Sequence, residues 1–180
     1  MNSTPDEKLV SLFQAGDVNA FEALYHRYSR SLVNFMMRML HDEHRAEDLF
    51  QDIFIKLLEM PEIYQNKARF KIWLYRVAMN RCLNDIRNRK KRREHAVRIA
   101  ESLPKNQVTN DRQLNQIEAK IEIRQALAQL PAEQQAALIL KYYQNLTYPE
   151  IAEISGCPVG TIKSRLHYAI ENLRLILIQE

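Results

Sequence analysis

The sequence predicts an all-α protein: two small helical domains joined by a flexible linker, the second domain built on a helix-turn-helix. Three observations carry that expectation. Apolar residues recur at three- and four-residue steps wherever the chain has a clear pattern. The 180 residues contain three glycines, too few to punctuate a set of strands with β-turns. The periodicity weakens in one place, between about Glu94 and Thr109, where "SLPKNQVTND" reads as a connector. The expected organisation is therefore a domain over 1–94, a linker over 95–115 and a domain over 116–180.

A first helix is expected from about Asp6 to Ala15, ended by Gly16. A second runs from about Asn19 to Leu40, with Phe21, Leu24, Tyr28, Leu32, Phe35, Met36 and Met39 on one face. The third has a continuous apolar face of Ala46, Leu49, Phe50, Ile53, Phe54, Leu57 and Leu58, closed by Pro61. The fourth starts near Phe70 and carries Trp73, Leu74, Val77, Ala78 and Leu83 into "NDIRNRKKRR". Trp73 is in phase with Leu74, Val77 and Ala78 and is expected in the core. Beyond the connector, Leu114, Ile117, Ile121, Leu127 and Leu130 resume the helical pattern. Pro131 suits the first turn of a helix over about Ala132 to Tyr143.

The end of the chain carries the clearest local signal. Thr147 and Glu150 have capping-box spacing, and Pro149 falls in the first turn, where a missing N–H costs nothing. Ile151, Ala152 and Ile154 face inward, Ser155-Gly156 turns the chain, and Pro158 restarts a helix with Val159, Ile162 and Leu166 inside. Two short helices around a glycine-containing turn form the DNA-binding helix-turn-helix signature. Thr161, Lys163, Ser164, Arg165, His167 and Tyr168 remain polar on the second helix, where Arg and Lys meet guanine edges or phosphates.

Charge separates the chain into thirds. Residues 1–66 carry a net −5, residues 67–93 a net +10 and residues 94–180 a net −1. An acidic third followed by a basic block implies two partners for two surfaces. Hydrophobic residues at 46% and charged residues at 27% describe a soluble globular protein. The first residues, MNSTPDEKLVSLF, lack a secretory pattern, and no run approaches the roughly 20 apolar residues of a membrane span. Cys82 and Cys157 have no metal-site spacing and read as reduced thiols of a cytoplasmic protein.

An enzyme would have to use "HDEHRAEDLFQD", where His41, His44, Asp48 and Asp52 include i,i+4 pairs able to hold a metal. The rest of the chain supplies no matching His/Asp motif, so surface histidines at a helix junction are the expectation. No catalytic residue, metal, cofactor or small-molecule substrate is expected.

Three stretches resemble the extracytoplasmic-function (group 4) sigma factors of the sigma-70 family. "FKIWLYRVAMNRCLNDIRNRKKR" resembles their second conserved region, and "LPAEQQAALILKYYQNLTYPEIAEISGCPVGTIKSRLHYA" their fourth. "AEDLFQDIFIKL" is similar to the segment that grips core RNA polymerase. The resemblance implies a dissociable promoter-recognition subunit that binds core polymerase, melts the minus-ten element and reads the minus-thirty-five element. It implies that Glu47, Asp48, Gln51, Asp52 and Ile55 meet the clamp helices of the largest polymerase subunit. The loop from about Ile63 to Arg69, with Asn66 and Lys67, would cradle a flipped base, and Asn80 and Asn84 would contact bases. Lys71, Arg76 and Arg87 would hold phosphates, as would Arg89 to Arg93. Thr161, Lys163, Ser164, Arg165, His167 and Tyr168 would read the minus-thirty-five element.

The chain departs from the family in places. Asn66-Lys67 stands where relatives often have Gly and an acidic or small residue, which leaves the captured base open. Tyr168 and Ile170 stand where relatives often have Arg, which implies fewer phosphate contacts or a different minus-thirty-five sequence. Pro149 replaces a common Glu. A membrane-anchored anti-sigma factor is the implied regulator and would hold the chain at the inner membrane face. The rival reading is a conventional helix-turn-helix regulator with an N-terminal sensor.

Overall fold

The computed structural model describes residues 4–65, 69–100 and 116–178, with side chains omitted at 96–100 and 116–122. Eight α-helices run in order among the described residues, with no strand. They are α1 (Asp6–Gln14), α2 (Val18–Leu40), α3 (Glu43–Glu59), α4 (Phe70–Ala100), α5 (Gln116–Gln129), α6 (Ala132–Tyr142), α7 (Tyr148–Ser155) and α8 (Val159–Ile178). A single 3-10 turn, Pro61–Ile63, follows α3. Helix α4 extends beyond the expected domain boundary at residue 94, continuing through Ala100.

Local chemistry sets the helix ends. The Asp17 side chain caps α2 by accepting from the Asn19 N–H at 2.9 Å, and Asp42 caps α3 through the Arg45 N–H at 3.0 Å. Between them His41 takes the left-handed conformation, φ 55°, so the α2–α3 corner turns in two residues. Gln14 donates to the carbonyls of Pro61 and Tyr64, which ties the end of α1 to the turn after α3. Asp6 accepts from Arg27 and from the Tyr28 hydroxyl, so α1 is fastened to α2 at its other end. Burial first, and then the Asp6 carboxylate, push the Tyr28 phenol well above its ordinary range.

The first core forms where α1, α2, α3 and the start of α4 meet. Leu24, Leu32, Phe35, Met36, Phe70, Leu74 and Ala78 are fully buried there. Phe13, Phe21, Tyr25, Phe50 and Phe54 add a chain of tilted and edge-to-face rings at 4.8–6.0 Å. Trp73 packs half-buried against that core, stacked on Phe70. Cys82 lies within it, and burial pushes its thiol up to about 12, leaving it unreactive at neutral pH. Leu58 departs from the expected apolar face of α3: it sits 49% exposed, because the seam ends at Leu57.

Helices α5 to α8 form the second part of that core, which is continuous with the first. Ala136 to Leu140, Ile151, Ile154, Ile162, Leu166 and Ala169 are buried in it. Val159, the first residue of α8, is exposed rather than inside.

One ion-pair cluster fixes α4 to the α2–α3 corner. Asp85 is the single acidic residue of the basic block and is nearly buried. It accepts from Arg45 Nε at 2.9 Å and pairs with Arg89 Nε at 2.7 Å. Arg89 also donates to the Leu40 carbonyl at 3.4 Å. Its place in the fold is therefore structural, whereas Lys90 to Arg93 are exposed. Replacing Asp85 by Asn should lower stability by about 1.5–3 kcal/mol, the usual range for hydrogen bonds to charged groups. Urea unfolding at neutral pH measures this, and a shift inside the error of the method would show that the cluster is only a surface contact.

Candidate nucleic-acid and polymerase interfaces

Helix α3 presents Glu47, Asp48, Gln51, Asp52 and Ile55 as one exposed strip opposite its buried face. Three- and four-residue steps align them. Ile55 is 53% exposed, and Leu58, one turn on, lengthens its apolar end. Carboxylates flanking exposed aliphatics form a surface that attracts a basic helix and anchors it by desolvation. Leu58 is the addition that the sequence reading missed, since its spacing puts it on the apolar face of α3.

Helix α4 presents a polar stripe of Arg76, Asn80, Asn84 and Arg87, again at three- and four-residue steps. Asn80, Asn84 and Arg87 are exposed; Arg76 and Lys71 are half-buried. Amides flanked by guanidiniums suit unpaired bases on a phosphate backbone. Arg76 Nε donates to the Glu153 carbonyl on α7 at 3.2 Å in this structure. Asn66 and Lys67 lie outside the described residues.

The helix-turn-helix is α7 and α8. The Thr147 side chain accepts from the Glu150 N–H while Glu150 accepts from the Thr147 N–H at 2.9 Å, completing the capping box. Pro149 sits in that first turn. Gly156 closes α7 at φ 63°, in the left-handed region that favours glycine. On α8, Lys163, Ser164, His167 and Tyr168 are exposed, and Thr161 and Arg165 are half-buried beside them. Ser164 Oγ donates to the Gly160 carbonyl, leaving its lone pairs outward. Arg165 Nη1 donates to Cys157 Sγ at 3.7 Å, which holds the guanidinium beside the turn. Ile162, Leu166 and Ala169 hold the opposite face in the core, so the polar face points to solvent.

His41, His44, Asp48 and Asp52 are not gathered into a site. His41 is turned toward α6, where Gln135 Nε2 donates to its Nε2 at 2.7 Å. Burial, with Arg124 and Arg89 nearby, lowers the His41 pKa, so the ring is neutral at pH 7 and accepts that bond. Among the described residues no group of three His, Cys, Asp or Glu is placed to hold a metal ion. None of the described helices is long and apolar enough to cross a membrane.

The model of sigma-70 region 2 matches residues 24–92, and that of sigma-70 region 4 matches residues 120–173. These spans contain the acidic strip, the α4 stripe, α7 and α8 as far as residue 173. The RNA polymerase sigma-H factor of Pseudomonas aeruginosa is 31% identical, aligned over 92% of this chain and 90% of its own length. The chain belongs to the extracytoplasmic-function sigma factors of the sigma-70 family. SigW of Bacillus subtilis is also 31% identical, over 93% of this chain and 94% of its own, and SigL of Mycobacterium tuberculosis 33% over the same shares. The sigma factor RpoE of Bartonella quintana, solved in complex with the anti-sigma factor NepR, superposes with a TM-score of 0.63 at 25% identity. That match covers 87% of this chain and 96% of RpoE. CnrH, solved with the cytosolic domain of CnrY, shares the fold at a TM-score of 0.72 and 19% identity, covering 97% of this chain and 98% of CnrH. As a sigma factor the chain directs core RNA polymerase to promoters and initiates transcription there.

The Thr147 N–H, then the Thr147 hydroxyl and Arg69, hold the Glu150 carboxyl below its ordinary range. A carboxyl lowered in the folded state contributes stability above its unfolded pKa, near 4.3, and loses it as pH falls through the lower folded value. The stability gap between wild type and Glu150→Gln should therefore be constant from pH 8 to 5 and close on further acidification. Thr147→Ala should cost about 1 kcal/mol. Denaturant unfolding against pH checks both, and a gap that widens in acid would contradict the assignment.

Proposed function

We propose that residues 1–94 dock on core polymerase and open the minus-ten element, and that 95–115 link them to a minus-thirty-five reader over 116–180. The observation that carries this division is the separation of three faces of opposite chemistry. An acidic and aliphatic strip lies on α3, an amide and guanidinium stripe on α4, and a polar helix face on α8. Glu47, Asp48, Gln51, Asp52 and Ile55, extended by Leu58, meet polymerase. Asn80 and Asn84 contact unpaired bases while Lys71, Arg76 and Arg87 hold phosphates, together with Asn66 and Lys67 of the preceding loop. Thr161, Lys163, Ser164, Arg165, His167 and Tyr168 read the minus-thirty-five duplex.

The chain acts by binding, with no catalytic chemistry, cofactor or metal of its own. Its place of action is the cytoplasm. RpoE and CnrH, which share its fold, were solved with anti-sigma factor NepR and with CnrY, and the same kind of control suits this chain. A membrane-anchored anti-sigma factor covering one or more of these faces would hold the chain at the inner membrane face until a signal releases it.

Run-off transcription across a genomic promoter library tests the reading. Core polymerase with this chain should start at a discrete promoter set, and the chain alone should bind duplex DNA weakly. Silence with core, joined to tight operator binding by the chain alone, would instead favour a conventional helix-turn-helix regulator.

Asp48→Arg combined with Ile55→Ala should weaken core binding at least tenfold in fluorescence anisotropy. Both side chains are exposed, so stability should move by no more than about 0.5 kcal/mol. Lys163→Ala and Arg165→Ala should each cost about 1–3 kcal/mol of promoter affinity where the minus-thirty-five element is needed. Equal losses on promoters lacking that element would contradict their role.

A further inference from the structure

A cavity of about 320 Å³ opens between α2, α5 and the end of α6. Met37, Arg38 and His41 line it from α2 and its cap, Ile123, Arg124 and Leu127 from α5, and Tyr143 from the cap of α6. The two helices present the same local pattern: an apolar side chain, an arginine beside it, and a third residue one turn on. Helix α2 packs on α6 and α5 on α8, which leaves α2 and α5 on opposite sides of the recess. Leu127 is buried at its base, while Ile123 and Tyr143 are each 45% exposed.

The lining divides by chemistry. Met37, Ile123, Leu127 and the Tyr143 ring form an apolar wall. Arg38 and Arg124 supply two guanidiniums, and neither forms an ion pair among the described residues. Arg38 lies over the Tyr143 ring, 4.1 Å from its centre, and donates to the Asn34 carbonyl at 3.4 Å. Those contacts hold the guanidinium in place and leave most of its donors unused. His41 adds a further donor. Gln135 Nε2 also donates to the Arg38 carbonyl at 2.8 Å, which fixes the amide so that His41 Nε2 accepts. The neutral ring therefore carries its proton on Nδ1, a buried atom with no partner among the described residues. An occupant reaches that atom only if the ring turns, so the guanidiniums are the anchors.

We propose that this cavity binds a small organic anion, a carboxylate on an apolar body of the fatty-acid or aryl-acid kind. The head sits between Arg38 and Arg124, and the body lies against Met37, Ile123, Leu127 and Tyr143. Planar guanidinium forks match a carboxylate, and no acid of the chain claims them among the described residues. A bare phosphate would leave the apolar wall wet, and a neutral hydrocarbon would leave the guanidiniums unused. A nucleic-acid strand needs an extended run of cations rather than a recess of small-ligand size. The site shares no residue with the α3 strip, the α4 stripe or the polar face of α8, so it stands apart from their assignments. A ligand bound there stabilises the folded chain by mass action, which makes the chain itself responsive to amphipathic acids.

The test titrates the full chain with sodium octanoate and follows the methyl groups of Met, Ile and Leu by heteronuclear NMR. Octanol supplies the same body without charge, and inorganic phosphate the charge without the body. Octanoate should bind saturably, with shifts centred on Met37, Ile123 and Leu127, and should raise the melting temperature. Octanol and phosphate should each bind at least about tenfold more weakly. Arg124→Gln alters an exposed side chain with no ion pair to lose among the described residues. It should weaken octanoate about tenfold, the ratio for one lost hydrogen bond to a charged group, and leave octanol unchanged. Ile123→Trp, which fills the recess from its exposed rim, should abolish octanoate binding without changing the circular dichroism. Absence of saturable shifts, phosphate binding as tight as octanoate, or indifference of octanoate to Arg124→Gln overturns the site. Shifts at the same methyls with an acidic amphipathic peptide, and none with octanoate, also overturn it and mark the recess as a protein-binding groove.

Discussion

Helix α4 has two apolar sides and one polar one, and most of the architecture follows from accommodating it. A helix apolar on a single stripe can rest on one bundle and show the remainder to water. With Ile72, Tyr75 and Met79 added to Phe70, Leu74 and Ala78, α4 needs a cover on each side. The N-terminal helices supply one and α6–α7 the other. The remaining side carries the polar stripe from Arg76 to Arg87.

Charge organises what packing leaves exposed. The basic block would repel itself along α4 were it not partly neutralised, and Asp85 does this by engaging Arg45 and Arg89 at the α2–α3 corner. Those contacts subtract Arg89 from the basic tail available to phosphates and leave Lys90 to Arg93. The acidic strip on α3 lies on a separate exposed face. Opposite charges on separate faces of one small domain let the same fold attract a basic protein helix and an anionic nucleic acid.

Much of this is written in local patterns. The helices of the first domain follow from three- and four-residue apolar spacing, and the capping box at Thr147 and the turn at Gly156 follow from residues three to nine positions apart. The exposed strip on α3 and the recognition face of α8 are legible because each is the polar complement of a clean apolar stripe. Patterns of this kind carry no information about contacts made by residues distant in sequence. Gln135 and Gln144 carry no local signal of the bonds they make to α2. Leu58 and Val159 read as core because each continues the apolar spacing of its helix, yet both are exposed. The Arg89–Asp85 spacing of four residues and the surplus apolar residues on α4 were the available signals for the clamp and for the second cover. Neither names its partner.

The account centres on a free chain whose two domains lie against each other across α4. Small-angle scattering of the purified protein at several dilutions addresses it without labels or substitutions. A closed chain should have a concentration-independent radius of gyration near the roughly 16 Å of a compact chain of this length. Two domains moving independently on a tether would give a value well above that compact scaling, and would contradict it.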